Sequence, residues 1–173
     1  MRRGWVVPAV LAGLILLAAA LVYTGALQLN QPPQPVRGVD VSHWQGEIDW
    51  PALAAGLRVG AYHFFSYDSS GADQAAHFIA NVPSPPGALP PVIDVEFYGD
   101  YFRHPADRGV VVPQLRAMVD ALTQRYGRPP MIYATKRSYS LYIAGGFEDC
   151  DIWIRSVLTA PRLPDGRDWT LWQ

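Results

Sequence analysis

Two acidic side chains, Asp94 and Glu96, lie in an apolar segment that has the composition of a short buried strand. Side chains alternate between the two faces of a strand, so Val92, Asp94 and Glu96 are expected on one face and Ile93 and Val95 on the other. Because carboxylates are costly to bury without partners, we expect the acidic face to open onto a polar cleft.

Such a pair of carboxyl groups has the equipment for acid-assisted cleavage of a glycosidic bond. Two carboxyl groups close together in an apolar wall titrate at separated pKa values, so one stays ionised while the other can hold a proton near neutral pH. The spacing of Asp94 and Glu96 places the carboxyl groups roughly 6–7 Å apart, between the ranges for retaining and inverting enzymes, so the stereochemical outcome stays open. A solvated rim or an ion-pair partner is the alternative interpretation of this pair.

Composition bounds the class of protein. The 173 residues are enough for one domain with a core, and the net charge of −1 gives no basic patch for nucleic acid. The single cysteine, Cys150, excludes an internal disulfide, and its neighbours Asp149 and Asp151 disfavour the thiolate and hence a catalytic role. No motif indicates a cofactor. The six Trp and nine Tyr include residue types that line carbohydrate clefts, but most of them are expected in the core.

The amino-terminal region predicts export from the cytoplasm. An uncharged run over residues 5–27 follows Arg2 and Arg3 and is long enough to cross a bilayer core of ~30 Å. We therefore predict a membrane-spanning signal anchor over residues 1–27, with a cleaved signal peptide as the alternative and the remainder outside the cytoplasm in either case. Residues 28–37 contain Pro32, Pro33 and Pro35 and predict a semi-rigid linker, so the globular domain covers residues 38–173.

Strand-like and helical segments alternate along the domain. Strands are predicted over residues 38–42, 57–65, 90–98, 131–134, 151–154 and 169–173, and helices from Asp49 and over 73–81, 113–126 and 138–144. This alternation predicts an α/β fold with a parallel sheet, open or closed into a barrel, whose chemistry lies at the carboxyl ends of the strands. Six candidate side chains fall near such ends: Asp40, Tyr62, Asp94, Glu96, Tyr133 and Trp153.

Five motifs occur in an order and spacing that identify a family. They are Gly-Val-Asp-Val-Ser-His-Trp-Gln-Gly at residues 38–46, Gly-Ala-Tyr-His-Phe-Phe at 60–65, Asp-Val-Glu at 94–96, the strands with Ile-Tyr at 132–133 and Ile-Trp-Ile at 152–154, and Trp-Thr-Leu-Trp-Gln at 169–173. Together they resemble glycoside hydrolase family 25, the Chalaropsis-type lysozymes or N-acetylmuramidases, over residues 36–173.

This resemblance implies a flattened (β/α) barrel of the TIM type that hydrolyses the β-1,4 bond between N-acetylmuramic acid and N-acetylglucosamine in peptidoglycan. It implies that Glu96 is the general acid and that Asp94 stabilises positive charge at the anomeric carbon or orients the substrate's N-acetyl group. Asp40 would support the pair. The implied substrate-binding residues are Tyr62, His63, Tyr133 and Trp153.

The family's second strand region and its last strand have no counterpart in the sequence, so we expect an incomplete, open barrel of marginal stability. A non-catalytic relative that binds cell-wall glycan, or an inactive fragment, is the alternative function. A metal site built from His43, His63 and the three acidic residues is a further alternative, but no short-range ligand pair supports it.

Overall fold

The computed structural model describes residues 6–23, 36, 38, 58–83 and 87–173. The predicted first strand with Asp40, the linker prolines, His43 and the helix expected to begin at Asp49 lie outside the described residues.

Five strands and four α-helices make up the described chain. The strands are β1 (Tyr62–Phe64), β2 (Val92–Val95), β3 (Met131–Thr135), β4 (Ile152–Arg155) and β5 (Leu171–Trp172). The α-helices are α1 (Val6–Tyr23), α2 (Gly71–Asn81), α3 (Arg108–Tyr126) and the single turn α4 (Lys136–Ser138). A 3₁₀ turn (Gly99–Phe102) follows β2, and a π-helical turn (Tyr139–Ile143) follows α4.

The strands form one parallel sheet in the order β1-β2-β3-β4-β5. Their register aligns Phe64, Asp94, Tyr133 and Trp153 across four neighbouring strands. The expected parallel α/β fold is therefore confirmed. Among the described residues the sheet is open, with β1 at one edge and β5 at the other.

The two faces of the sheet have different surroundings because side chains alternate along each strand. One face packs against α2, α3 and the π-helical turn, and it supplies the main core with the apolar residues Ile93, Val95, Ile132, Ala134, Ile152 and Ile154. The other face carries a smaller cluster of Val92, Met131 and Tyr133, with Trp153 packed against it. Asp94 lies on this second face, which we call the site face.

Helix-capping residues set the ends of α2 and α3. The Ser70 side chain accepts a hydrogen bond from Asp73 N and starts α2, while Gly127 ends α3 in the left-handed conformation at φ 73°. The predicted start of α3 at Pro113 is wrong, because the Asp107 side chain caps Gly109 N and begins the helix at Arg108. Pro113 lies inside the helix.

Two further segments differ from their predicted form. The strand expected over residues 57–65 is regular only over β1, although the carbonyls of Val59 and Ala61 accept hydrogen bonds from Leu89 N and Val92 N before it. The helix expected over residues 138–144 begins at Lys136 as α4 and continues as the π-helical turn.

The helix α1 covers 18 residues, and the large apolar side chains between Val7 and Leu21 are exposed. In the part of the chain that the structure describes, no helix combines the length and the apolar character needed to cross a bilayer. The prediction of a membrane-spanning anchor, and of a membrane partner held through it, is therefore not supported.

Candidate active site

The two carboxylates lie where β2 ends. Asp94 is 9% exposed in β2, and Glu96 follows the strand and is half-buried. The residues between and after them, Val95 and Phe97, belong to the main core on the opposite face. The strand therefore presents Asp94 on the site face, as the alternation predicts, and places Glu96 beyond it at the carboxyl end.

An aromatic wall continues the site face beside Asp94. Tyr133 is the register partner of both Asp94 and Trp153, and the rings of Tyr133 and Trp153 meet edge to face with centroids 4.9 Å apart. The Tyr133 hydroxyl donates to Oε1 of Gln173, which follows β5. Polar groups at the top of an aromatic wall can hold sugar hydroxyls while the rings contact the apolar face of the sugar.

On the other side of Asp94, β1 contributes Tyr62 and Phe64. Their side chains are 38% and 42% exposed, and both residues pair with β2 on the site face. The structure thus brings together Tyr62, Asp94, Tyr133 and Trp153 on one face of the sheet, with Glu96 at its rim. Asp40, the third predicted acid, lies outside the described residues.

His63 lies on the opposite face from these residues. Its ring contacts α2, where its Nε2 lies 3.2 Å from Gln74 Oε1 and its centroid is 6.3 Å from that of Phe78. Burial lowers the pKa of His63, the hydrogen bond to Gln74 opposes this effect, and the neighbouring His77 adds to it. The structure therefore does not bring His63 together with the predicted substrate-binding residues, because adjacent positions on a strand face opposite sides.

A network that the motifs did not indicate ties the loop after β1 to the loop after β2. The carboxylate of Asp68 accepts hydrogen bonds from the Tyr98 hydroxyl at 2.9 Å and the Tyr101 hydroxyl at 2.5 Å. These bonds, the one from Tyr101 first, lower the pKa of Asp68 and raise that of Tyr101 to about 12. The Tyr98 ring in turn lies 5.5 Å from Phe64. The network thus fixes the segment that directly follows Glu96.

Tyr67 occupies the centre of an aromatic cluster behind this segment. Its ring stacks on Phe97 and Tyr98, with centroid distances of 6.1 and 5.6 Å. Burial is the main cause that raises the pKa of Tyr67, and the charges of Asp94 and Glu96 contribute to the same shift. The phenol therefore stays neutral beside the carboxylates. In the sequence, the only sign of this cluster is the density of tyrosines over residues 98–101, whose partners are about 30 positions away.

Cys150 is a buried free thiol in the main core. Burial raises its pKa to about 12, with a further contribution from Asp149. The expected suppression of the thiolate is confirmed, with burial as its larger cause. Across the described ranges, no group of three His, Cys, Asp or Glu side chains could hold a metal ion.

Comparison with known proteins identifies the family. The family model described as "Glycosyl hydrolases family 25" matches residues 51–173. The chain belongs to this family.

A family 25 glycosyl hydrolase from Bacillus anthracis has a similar solved structure. It is 41% identical, with a TM-score of 0.71, and the likeness covers 79% of this chain and 77% of that one. Its match supports the parallel α/β architecture described above.

Two curated sequences are also similar over 80% of this chain. The Escherichia coli K12 protein YegX is 28% identical, and Lysozyme M1 of Streptomyces globisporus is 27% identical. The chain spans 62% of the length of YegX and 61% of that of Lysozyme M1.

Proposed function

We propose that this family 25 protein is a lysozyme-like glycoside hydrolase that cleaves the β-1,4 bond between N-acetylmuramic acid and N-acetylglucosamine in peptidoglycan. The observation that carries the proposal is the position of Asp94 on the site face, beside the aromatic wall, with Glu96 at the carboxyl end of the same strand. Membership of the family and the similarity to Lysozyme M1 support the same reaction class.

In the proposed reaction, Glu96 donates its proton to the glycosidic oxygen as the bond from the anomeric carbon to that oxygen breaks. The electron pair of the bond leaves with the oxygen, and positive charge develops at the anomeric carbon. Asp94 stabilises this charge directly, or orients the substrate's N-acetyl group, which then attacks as an internal nucleophile. Water finally adds to the anomeric carbon and leaves a new reducing end, and its proton restores Glu96.

The surrounding residues take binding roles in this proposal. Tyr62, Tyr133 and Trp153 line the cleft on the two sides of Asp94 and exclude water from the reacting bond. Asp40 supports the acidic pair as the family resemblance implies. His63 contacts Gln74 on the opposite face of the sheet and takes no binding role in this proposal.

We further propose that the five strands are part of a flattened barrel of the TIM type. The sequential strand order supports this, since each strand of such a barrel pairs with the next along the chain. The site of action would be the cell wall, outside the cytoplasm, because peptidoglycan lies there.

The test is release of new reducing ends from purified peptidoglycan by the full chain. Glu96→Gln keeps the size of the side chain and removes the acid, so the rate should fall by roughly 10²–10⁴-fold. Glu148→Gln, at an exposed position in the loop before β4, is the matched control and should retain the parental rate. A folded parent that binds peptidoglycan without releasing reducing ends would instead support a glycan-binding role.

A further inference from the structure

A second feature of the carboxyl-end rim is an open groove of about 610 Å³ lined by Pro105, Lys136, Arg137, Ser140 and Leu141. It is a larger cavity than the apolar one of about 210 Å³ at the opposite end of β1 and β2. The wall of the groove is formed by α4 and the π-helical turn, which follow β3 directly. The groove is therefore a neighbour of the candidate active site and lies over the rim from the site face.

The groove begins beside the strand end that carries the acid. The pairing of β2 with β3 ends at Val95 and Ala134, Glu96 follows β2 directly, and Lys136 follows Thr135, the last residue of β3. The Arg137 guanidinium lies 5.0 Å from the ring centroid of Phe97, the residue after Glu96. This contact places the groove next to the segment that carries Glu96, on the side of the sheet opposite the site face.

The charge of the groove is positive and is not neutralised locally. Lys136 and Arg137 are both exposed, and among the described residues neither is within ion-pair distance of a carboxylate. Arg137 also donates to the Phe102 carbonyl at 2.5 Å, which holds the guanidinium in place. The Arg137 guanidinium is thus already held in position, and the exposed Lys136 ammonium lies beside it in sequence. Such a pair of cations is suited to binding a carboxylate.

We propose that this groove binds a carboxylate of the short peptide carried by muramic acid residues in peptidoglycan, so that the protein recognises the peptide-bearing glycan and not the bare sugar chain. This inference rests on the proposed peptidoglycan substrate and adds a second point of contact to it. Three extended peptide residues span about 10 Å, so a peptide on a sugar held at Glu96 reaches well beyond the sugar itself.

The experiment measures binding, so that it does not depend on turnover. The full chain carrying Glu96→Gln is titrated with two soluble ligands. One is a tetrasaccharide of alternating N-acetylmuramic acid and N-acetylglucosamine that bears its peptides, and the other is the same tetrasaccharide after the peptides are removed. Both are prepared free of phosphate-containing wall polymers. Adding Lys136→Gln should weaken binding of the peptide-bearing form by about threefold, and Lys136→Glu should weaken it more.

The bare tetrasaccharide should bind equally well to all of these variants. Arg125→Gln removes an exposed cation in the last turn of α3, at the other end of the sheet, and should change neither affinity. Raising the salt concentration should reduce the preference for the peptide-bearing form.

Equal losses on both ligands, or no loss with Lys136→Glu, would overturn the proposal, as would failure of the Glu96→Gln protein to bind either ligand. Absence of reducing-end release by the parent, with the peptide preference intact, would refute the hydrolase and leave the groove assignment standing.

Discussion

The side-chain amide of Gln74 holds the loop that follows β1. Its removal tests whether these hydrogen bonds fix the loop that supports the candidate active site. Gln74 is 4% exposed. Its Oε1 accepts from Ser66 N at 2.7 Å, and its Nε2 donates to the carbonyls of Ser66 at 2.9 Å and Ser69 at 3.1 Å. The same loop carries Asp68, which binds the tyrosines after Glu96. Gln74 thus holds the loop whose Asp68 binds two tyrosines in the segment that follows Glu96.

Gln74→Leu keeps the approximate volume of the side chain and removes all of these bonds. Three hydrogen bonds to backbone groups at about 1 kcal/mol each predict a loss of about 3 kcal/mol in the free energy of unfolding. For a domain of this size, that loss corresponds to a fall of roughly 6–12 °C in Tm. Gln74→Glu, which accepts as before but no longer donates to the two carbonyls, should also be destabilised at pH 7.

Denaturant unfolding at pH 7, followed by tryptophan fluorescence, measures the difference. Gln124→Leu makes the same chemical change at an exposed position of α3 and should alter the free energy of unfolding by less than about 0.5 kcal/mol. If Gln74→Leu is no more destabilising than Gln124→Leu, the loop is held by other contacts and the argument from the amide network fails.

Two further predictions concern packing and pH. Gly71→Ala should destabilise the protein by about 1–3 kcal/mol or prevent folding, because a Cβ at this position would lie 1.8 Å from the backbone oxygen of Gln114. The control is Gly146→Ala, where the nearest atom to an added Cβ is 3.7 Å away, and this variant should be tolerated. Thermal unfolding of the two variants measures the difference. The pKa of His63 is lowered in the folded state, so the unfolded chain takes up its proton first and stability should fall as the pH drops below about 6.5. His63→Gln should reduce that fall between pH 7 and pH 5.5, and an identical fall in the variant would assign the effect to other groups.

The sequence by itself determined the alternation of strands and helices and the two faces of the central strand. The period-2 alternation in residues 92–97 sends Asp94 to the site face and Ile93 to the main core, as the structure has it. Gly127 ends α3 where the pattern places it. These features depend on backbone geometry and on neighbours within one turn or one strand, so they can be derived from short segments.

Only the tertiary structure decided which loops meet at the site. Asp68 binds Tyr98 and Tyr101 across separations of 30 and 33 residues, and the Tyr133 hydroxyl reaches Gln173 across 40. The groove likewise combines Lys136 with Pro105 from the segment before α3, and Arg137 packs on Phe97 from the segment after Glu96. Such contacts follow from the order and register of the strands, which many chain segments fix together, and no local pattern in the sequence specifies them.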